Sequence, residues 1–290
     1  MHSGRVDTRG VACEQDRRRS VRNRMPIRQH PLTSAVALSL AILAHGAARA
    51  EGWTPAPDEV PVNNHDVATF EVTLRGAYAV GLVPPFRAGA RDRVAVGLDT
   101  RGWIGQHVRI AISEEWLRDE TGSGDVVSGL GDLRLGTAVA LWTQPSLATG
   151  LGWEAKLPNA ADAGELGTDE TDITLGAWLT IARGDWSGTG AAGLSVLGNP
   201  LRFANQDDVP LARLGLAYSP GAFRLGASAQ ADFETSRNPP RVELNASARY
   251  GQRWFVGVAG TAGLVPAAAD TSGVLQLGYA WTLPEGRAGE

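Results

Sequence analysis

The sequence predicts an all-β fold, a twelve-stranded antiparallel transmembrane barrel of the outer membrane. Three observations predict it. Twelve segments of 11 to 17 residues alternate apolar and polar side chains, longer than the five or six residues usual in soluble strands and long enough for a tilted strand to cross a bilayer. The connections between them alternate between tight and long, as in barrels with short periplasmic turns and longer outer loops. Aromatic residues gather beside the tight turns, where rings prefer the membrane interface. The 3.6-residue helix period fails almost throughout.

The first 50 residues stand apart from this pattern. An apolar run from Leu32 to Leu43 follows Arg22, Arg24 and Arg28 and leads to Ala48-Arg49-Ala50. That is the layout of a secretory signal peptide, and the run is too short to span a membrane as a helix. We expect residues 1–24 to be an over-extended start before Met25, 25–50 the signal peptide, 51–66 a periplasmic N-terminal segment rich in proline, 67–283 the barrel and 284–290 a C-terminal tail. Arg17-Arg18-Arg19 lacks the apolar pair of a twin-arginine signal. Cys13, the only cysteine, leaves with the leader, so neither disulfides nor thiol chemistry are expected. From Glu51 onward 18 basic residues face 28 acidic ones. That balance argues against nucleic acid as a partner, because phosphate binding needs a basic surface.

Taken in order, segment 67–83 puts Phe70, Val72, Leu74, Tyr78, Val80 and Leu82 opposite Glu71, Thr73 and Arg75. Segment 92–105 sets Val94, Val96 and Leu98 against Arg93, Asp99 and Arg101, and 107–118 sets Val108, Ile110 and Ile112 against His107, Arg109 and Ser113. Segment 128–142 carries Leu133, Leu135, Thr137, Val139 and Leu141 opposite Asp132, Arg134, Gly136, Ala138 and Ala140. Segment 146–157 opposes Leu147, Leu151, Trp153 and Leu157 to Glu154 and Lys156, and 171–183 opposes Ile173, Leu175, Leu179 and Ile181 to Asp172, Thr174 and Thr180. Segment 185–198 is mostly Gly, Ala and Ser. Segments 209–219, 221–234, 240–250, 253–265 and 273–283 complete the set, with Arg213, Arg224, Asp232, Arg241, Glu243 and Arg249 on polar faces. Long connections are expected at 84–91, 119–129, 158–170 and 199–208.

The apolar faces are expected to meet lipid and the polar faces a wet lumen. The expected lumen-lining set is Glu71, Arg75, Asp99, Arg101, Arg109, Asp132, Arg134, Glu154, Lys156, Asp172, Arg224, Asp232, Arg241, Glu243 and Arg249. Small residues at Gly97, Gly136, Gly152, Gly176, Gly226 and Gly278 share that side. Glu114 is the exception, a charge on the lipid-facing register near the outer end of its segment. The expected aromatic girdle is Trp103, Trp142, Trp186, Tyr218, Phe223, Tyr250, Trp254 and Trp281.

Little in the sequence points to chemistry. His65 and His107 are the histidines after the leader, and neither has a neighbour at metal-ligand spacing. Gly188-Thr-Gly-Ala-Ala-Gly193 matches a dinucleotide fingerprint, but no helix pattern follows it. Asp119, Glu120, Asp125, Asp162, Glu165, Asp169, Glu170, Asp207 and Asp208 make the loops acidic without calcium-loop spacing; they read as solvated surface, with divalent-cation binding or a cation-favouring mouth as the functional alternative. We expect no enzyme, no cofactor and no metal.

Two stretches resemble a known family. Gly129-Leu-Gly-Asp-Leu-Arg-Leu-Gly136, and Lys156-Leu-Pro-Asn159 followed by Gly167-Thr-Asp-Glu-Thr-Asp172, resemble an outer-membrane family named for transport in the phenol meta-degradation pathway. The family wording runs closer to K-L-P-T-G-D and G-T-G-S-x-D, and Asn159-Ala160-Ala161-Asp162 departs from it. The resemblance covers about 129–181. It implies a barrel and transport of aromatic compounds. Such barrels often end on an aromatic residue that the barrel-assembly machinery reads, whereas this chain continues past Trp281 to Glu290.

The function expected is passive transport of a small solute, aromatic or apolar, across the outer membrane. The expected partners are outer-membrane lipid, the barrel-assembly machinery and that small molecule. Two alternatives remain open on the sequence: a non-conducting surface or scaffold barrel with partner-binding outer loops, and an outer-membrane hydrolase.

Overall fold

Strict alternation suits a pleated strand because successive side chains point to opposite faces. The computed structural model describes residues 68–82, 91–105, 107–121, 124–159, 166, 171–198, 207–233, 235, 240–265 and 271–283. The expected leader, the segment 51–66 and the tail 284–290 lie outside the described residues, as do His65, Asp162, Glu165, Asp169 and Glu170.

The strands are β1 (Ala68–Leu82), β2 (Arg91–Ile104), β3 (Val108–Thr121), β4 (Val126–Leu130), β5 (Leu133–Gln144), β6 (Leu147–Leu157), β7 (Asp172–Arg183), β8 (Trp186–Leu197), β9 (Asp207–Tyr218), β10 (Phe223–Asp232), β11 (Arg241–Gly251), β12 (Trp254–Gly263) and β13 (Thr271–Leu283). Every neighbouring pair is antiparallel, and β1 pairs with β13 from Ala68↔Leu283 to Val80↔Thr271, which closes the sheet. β4 and β5 both pair with β3 and form one interrupted wall strand, so twelve strands encircle the barrel. Closure leaves no open edge, which a membrane demands of any β structure.

The stretch 128–142 is therefore one strand with a break at Gly131-Asp132. Ser113 pairs with Arg134 and Trp116 with Leu130, so one extra residue is accommodated between them. Gly131 N–H still donates to Glu115 O at 2.7 Å. The missing side chain permits this β-bulge, since a Cβ on Gly131 would lie 2.9 Å from Leu117. A correction accompanies it. The expected long loop 119–129 is largely strand, because β3 runs to Thr121 and β4 begins at Val126. Asp119 is thus a wall residue, not a loop residue.

Outward positions are mainly apolar: Leu74, Val96, Leu98, Leu151, Leu175, Leu214, Leu216, Leu244, Val256, Leu275 and Leu277 are all exposed, while the outward charges Asp92, Arg118, Glu120, Arg183 and Asp208 lie near strand ends and Glu114 on β3. Along β10 and the residue after it the outward series runs from Phe223 to Phe233, both exposed. Ten residue steps of about 3.4 Å, tilted about 40°, span about 26 Å, which matches the ~25 Å apolar band of an outer-membrane barrel. This band in a closed sheet makes the chain an outer-membrane β-barrel.

Candidate functional site

The inward face is where polar side chains meet. All fifteen residues of the expected lumen set lie on the inward register of their strands, and the small residues Gly97, Gly136, Gly152, Gly176, Gly226 and Gly278 lie there too. On strands β1 to β7 the charges form ion pairs. Arg75 is buried between Asp99, at 3.3 Å, and Glu115. Arg93 grips Asp119 with two bonds of 2.7 and 2.8 Å. Arg134 pairs with Glu154 at 2.7 Å, while Lys156 joins Asp172 and Asp132, the latter at 3.6 Å. Arg109 is buried beside Asp99, Arg101, Arg134 and Glu154, which together line one cleft in the wall. Each buried charge thus has the partner that low-dielectric surroundings require.

On the remaining strands, Asp232 stands directly across from Arg241 and accepts from Gln230 at 3.3 Å. Glu243 lies opposite Gln230. Arg224 lies opposite Arg249. Glu71 accepts from Arg101 at 2.7 Å and from Arg249 at 2.6 Å, so one carboxylate joins β1, β2 and β11 across the faces of β12 and β13. The Arg249 guanidinium lies 3.3 Å over the Phe255 ring, a cation–π contact. Glu115 and Asp119 fall outside the expected lumen set although their register was legible: both share parity with Arg109 and Ser113. The outward Glu114 accepts from Asn159 at 2.7 Å.

Several inward glycines are not simply room. A Cβ on Gly97 would sit 2.8 Å from Arg75 Nε, one on Gly278 only 2.0 Å from Phe255 Cζ, and one on Gly150 2.7 Å from Trp178 Cζ2. Each lets a large neighbouring side chain lie flat along the wall, as glycine does elsewhere beneath an aromatic ring in sheets.

The aromatic residues divide between the two faces. Trp186–Tyr218, Phe223–Tyr250, Trp254–Tyr279 and Phe70–Trp281 are cross-strand outward pairs with ring centroids 4.7, 5.2, 4.8 and 5.7 Å apart. They form an outward belt at the tight-turn end over β8 to β13 and β1. Trp142 joins the outward side only because a bulge between Ala140 and Trp142 reverses the alternation there.

Trp103 is a correction. It is 4% exposed and points inward, because β2 alternates without interruption from Arg93 to its end. Its ring meets Trp178, itself 2% exposed, edge-on at 6.4 Å. The two indoles bridge β2 and β7 above Ala138, Ala140 and Ala148 of the strands between them. Trp178 Nε1–H donates to Leu151 O at 3.3 Å, whereas the buried Trp103 Nε1–H has no partner. At the long-loop end, Leu166 is buried with Ala95 and Leu117. His107 is an exposed residue of a tight turn.

No protein-family model matches the chain, and no curated protein matches it by sequence. Solved structures do. The COG4313 outer membrane channel from Pseudomonas putida F1 superposes with a TM-score of 0.55 at 12% identity, over 79% of this chain and 100% of that one. The NanC porin overlaps less closely, with a TM-score of 0.48 at 11% identity over 73% of this chain and 100% of that one. The KdgM porin in complex with disordered oligogalacturonate gives 0.47 at 8% identity over 74% and 99%. The fold is that of a small outer-membrane barrel channel.

Proposed function

We propose that this barrel is a passive channel for a small solute across the outer membrane, and that the solute is aromatic or apolar over part of its surface. The observation that carries the reading is the state of the inward charges. In a closed sheet Arg101 keeps 33% and Arg134 25% of its side-chain surface open to the interior, which leaves space beside side chains that face away from lipid. A wall of ion pairs with open space at its surface suits a polar path. The inward indoles Trp103 and Trp178 are buried against each other and the wall, so they narrow the interior without offering an open surface to that path. The aromatic class rests on the resemblance of 129–181 to the phenol-pathway family. The fold shared with an outer-membrane channel supports passage.

Purified protein in planar bilayers tests the reading, together with solute uptake by a strain lacking the gene. Discrete conductance steps and slowed uptake are expected. Absence of current with unchanged uptake of every candidate solute would refute it and would favour a scaffold barrel, for which the ion pairs of β1 to β7 would serve only to cross-link the wall.

A further inference from the structure

The inward charge is unevenly spread along the barrel. Within the four strand residues nearest the tight turns, the inward charged residues are Arg101, Arg109, Arg224, Arg249 and a lone carboxylate, Glu71. At the other end, among the described side chains, four bases face five acids over the same depth. The excess is concentrated further. Arg224 and Arg249 are direct cross-strand neighbours, a like-charge pairing that costs stability in a sheet. Glu71 already serves both Arg101 and Arg249. The Arg249 guanidinium is held over Phe255, and its Nε–H is buried with no partner. Small residues beneath the ring keep it there, since Gly278 could not carry a Cβ.

From this we infer that the tight-turn end of the interior is an anion-recognising stage, with Arg224 and Arg249 receiving the carboxylate of a small organic acid as it passes. A bound carboxylate offsets the Arg–Arg repulsion and supplies acceptors to a rigidly held guanidinium, whose planar fork fits that geometry. The inference rests on the passage reading and narrows its solute to anions.

Reversal potentials of the full mature barrel under a potassium chloride gradient test it. Chloride permeability is expected to exceed that of potassium by about tenfold, the low end of electrostatic focusing. The ratio should fall toward unity in the Arg224→Gln/Arg249→Gln double variant and survive in Arg224→Lys/Arg249→Lys. Cation preference, no preference, or a ratio unmoved in the glutamine variant overturns the inference while leaving passage intact. If the barrel is silent in bilayers, passage fails, and calorimetric titration with benzoate against benzyl alcohol decides the site. Salt-sensitive binding of benzoate alone, lost in the glutamine single variants, upholds the site; equal or absent binding of the two sinks it. Heat-modifiable gel mobility identifies variants that have folded.

Discussion

Leu214→Arg puts the lipid-facing assignment to its most direct test. Leu214 points outward from β9 and is 68% exposed, with Ala229 and Gly190 as its cross-strand neighbours. It lies four residues from Tyr218 of the aromatic belt and six from the outward Asp208. At about 2.6 Å of height per tilted residue, that is about 10 Å above one boundary and about 16 Å below the other, close to the midplane. An arginine on the lipid face at that depth costs about 2–4 kcal/mol. A value near 3 kcal/mol lowers the folding constant about 150-fold. The control is Gln230→Arg. Gln230 pairs with Arg213, the residue adjacent to Leu214, but faces inward near Asp232 and Glu243. Its new charge would face Glu243 on one side and Arg213 on the other, so stability should change by no more than about 1 kcal/mol, the range of cross-strand charge pairs. Reversible folding into phosphatidylcholine vesicles, followed by denaturant titration, measures both. Equal costs for the two variants, or a smaller cost for Leu214→Arg, would refute the reasoning that hydrocarbon meets one face and water the other.

Further expectations concern the interior. Gly278→Ala places a Cβ against the Phe255 ring and should destabilise by about 1–3 kcal/mol through overpacking; Phe255→Leu should recover part of it, with a coupling above about 0.5 kcal/mol in a double-mutant cycle. Trp103→Phe deletes a buried N–H that has no partner, so it should cost less than about 1 kcal/mol in denaturant titration. Trp103→Ala should cost about 3–5 kcal/mol and raise single-channel conductance by clearing the indole bridge. Glu71→Gln removes the carboxylate shared by Arg101 and Arg249; it should destabilise by about 1–3 kcal/mol, less than a fully buried pair because Arg101 is partly solvated, and should shift reversal potentials further toward chloride.

Much of the fold was legible from the chain because a barrel writes its two environments into one period of two. A residue's neighbours in sequence already state which side it faces. The strand count, the tight turns and the inward register of Arg75, Glu154, Asp172 and Arg249 all follow from that rule. Position beside a turn and parity along the strand disagreed at two tryptophans. Trp142 turns outward because of one bulged residue, and Trp103 stays inward because no bulge intervenes, although both sit at strand ends beside tight turns. The break at Gly131-Asp132 likewise let β3 and β4 extend through a stretch whose acidic residues suggest a loop.

The sequence by itself determined that one face of each strand is apolar and the other charged, since side-chain alternation is a local property of extended backbone. Which charges meet was decided only on closure. Glu71 and Arg249 stand 178 residues apart in the chain, and Trp103 finds Trp178 across three intervening strands. Those contacts depend on the register between strands and on the curvature of the wall, and no local pattern encodes either.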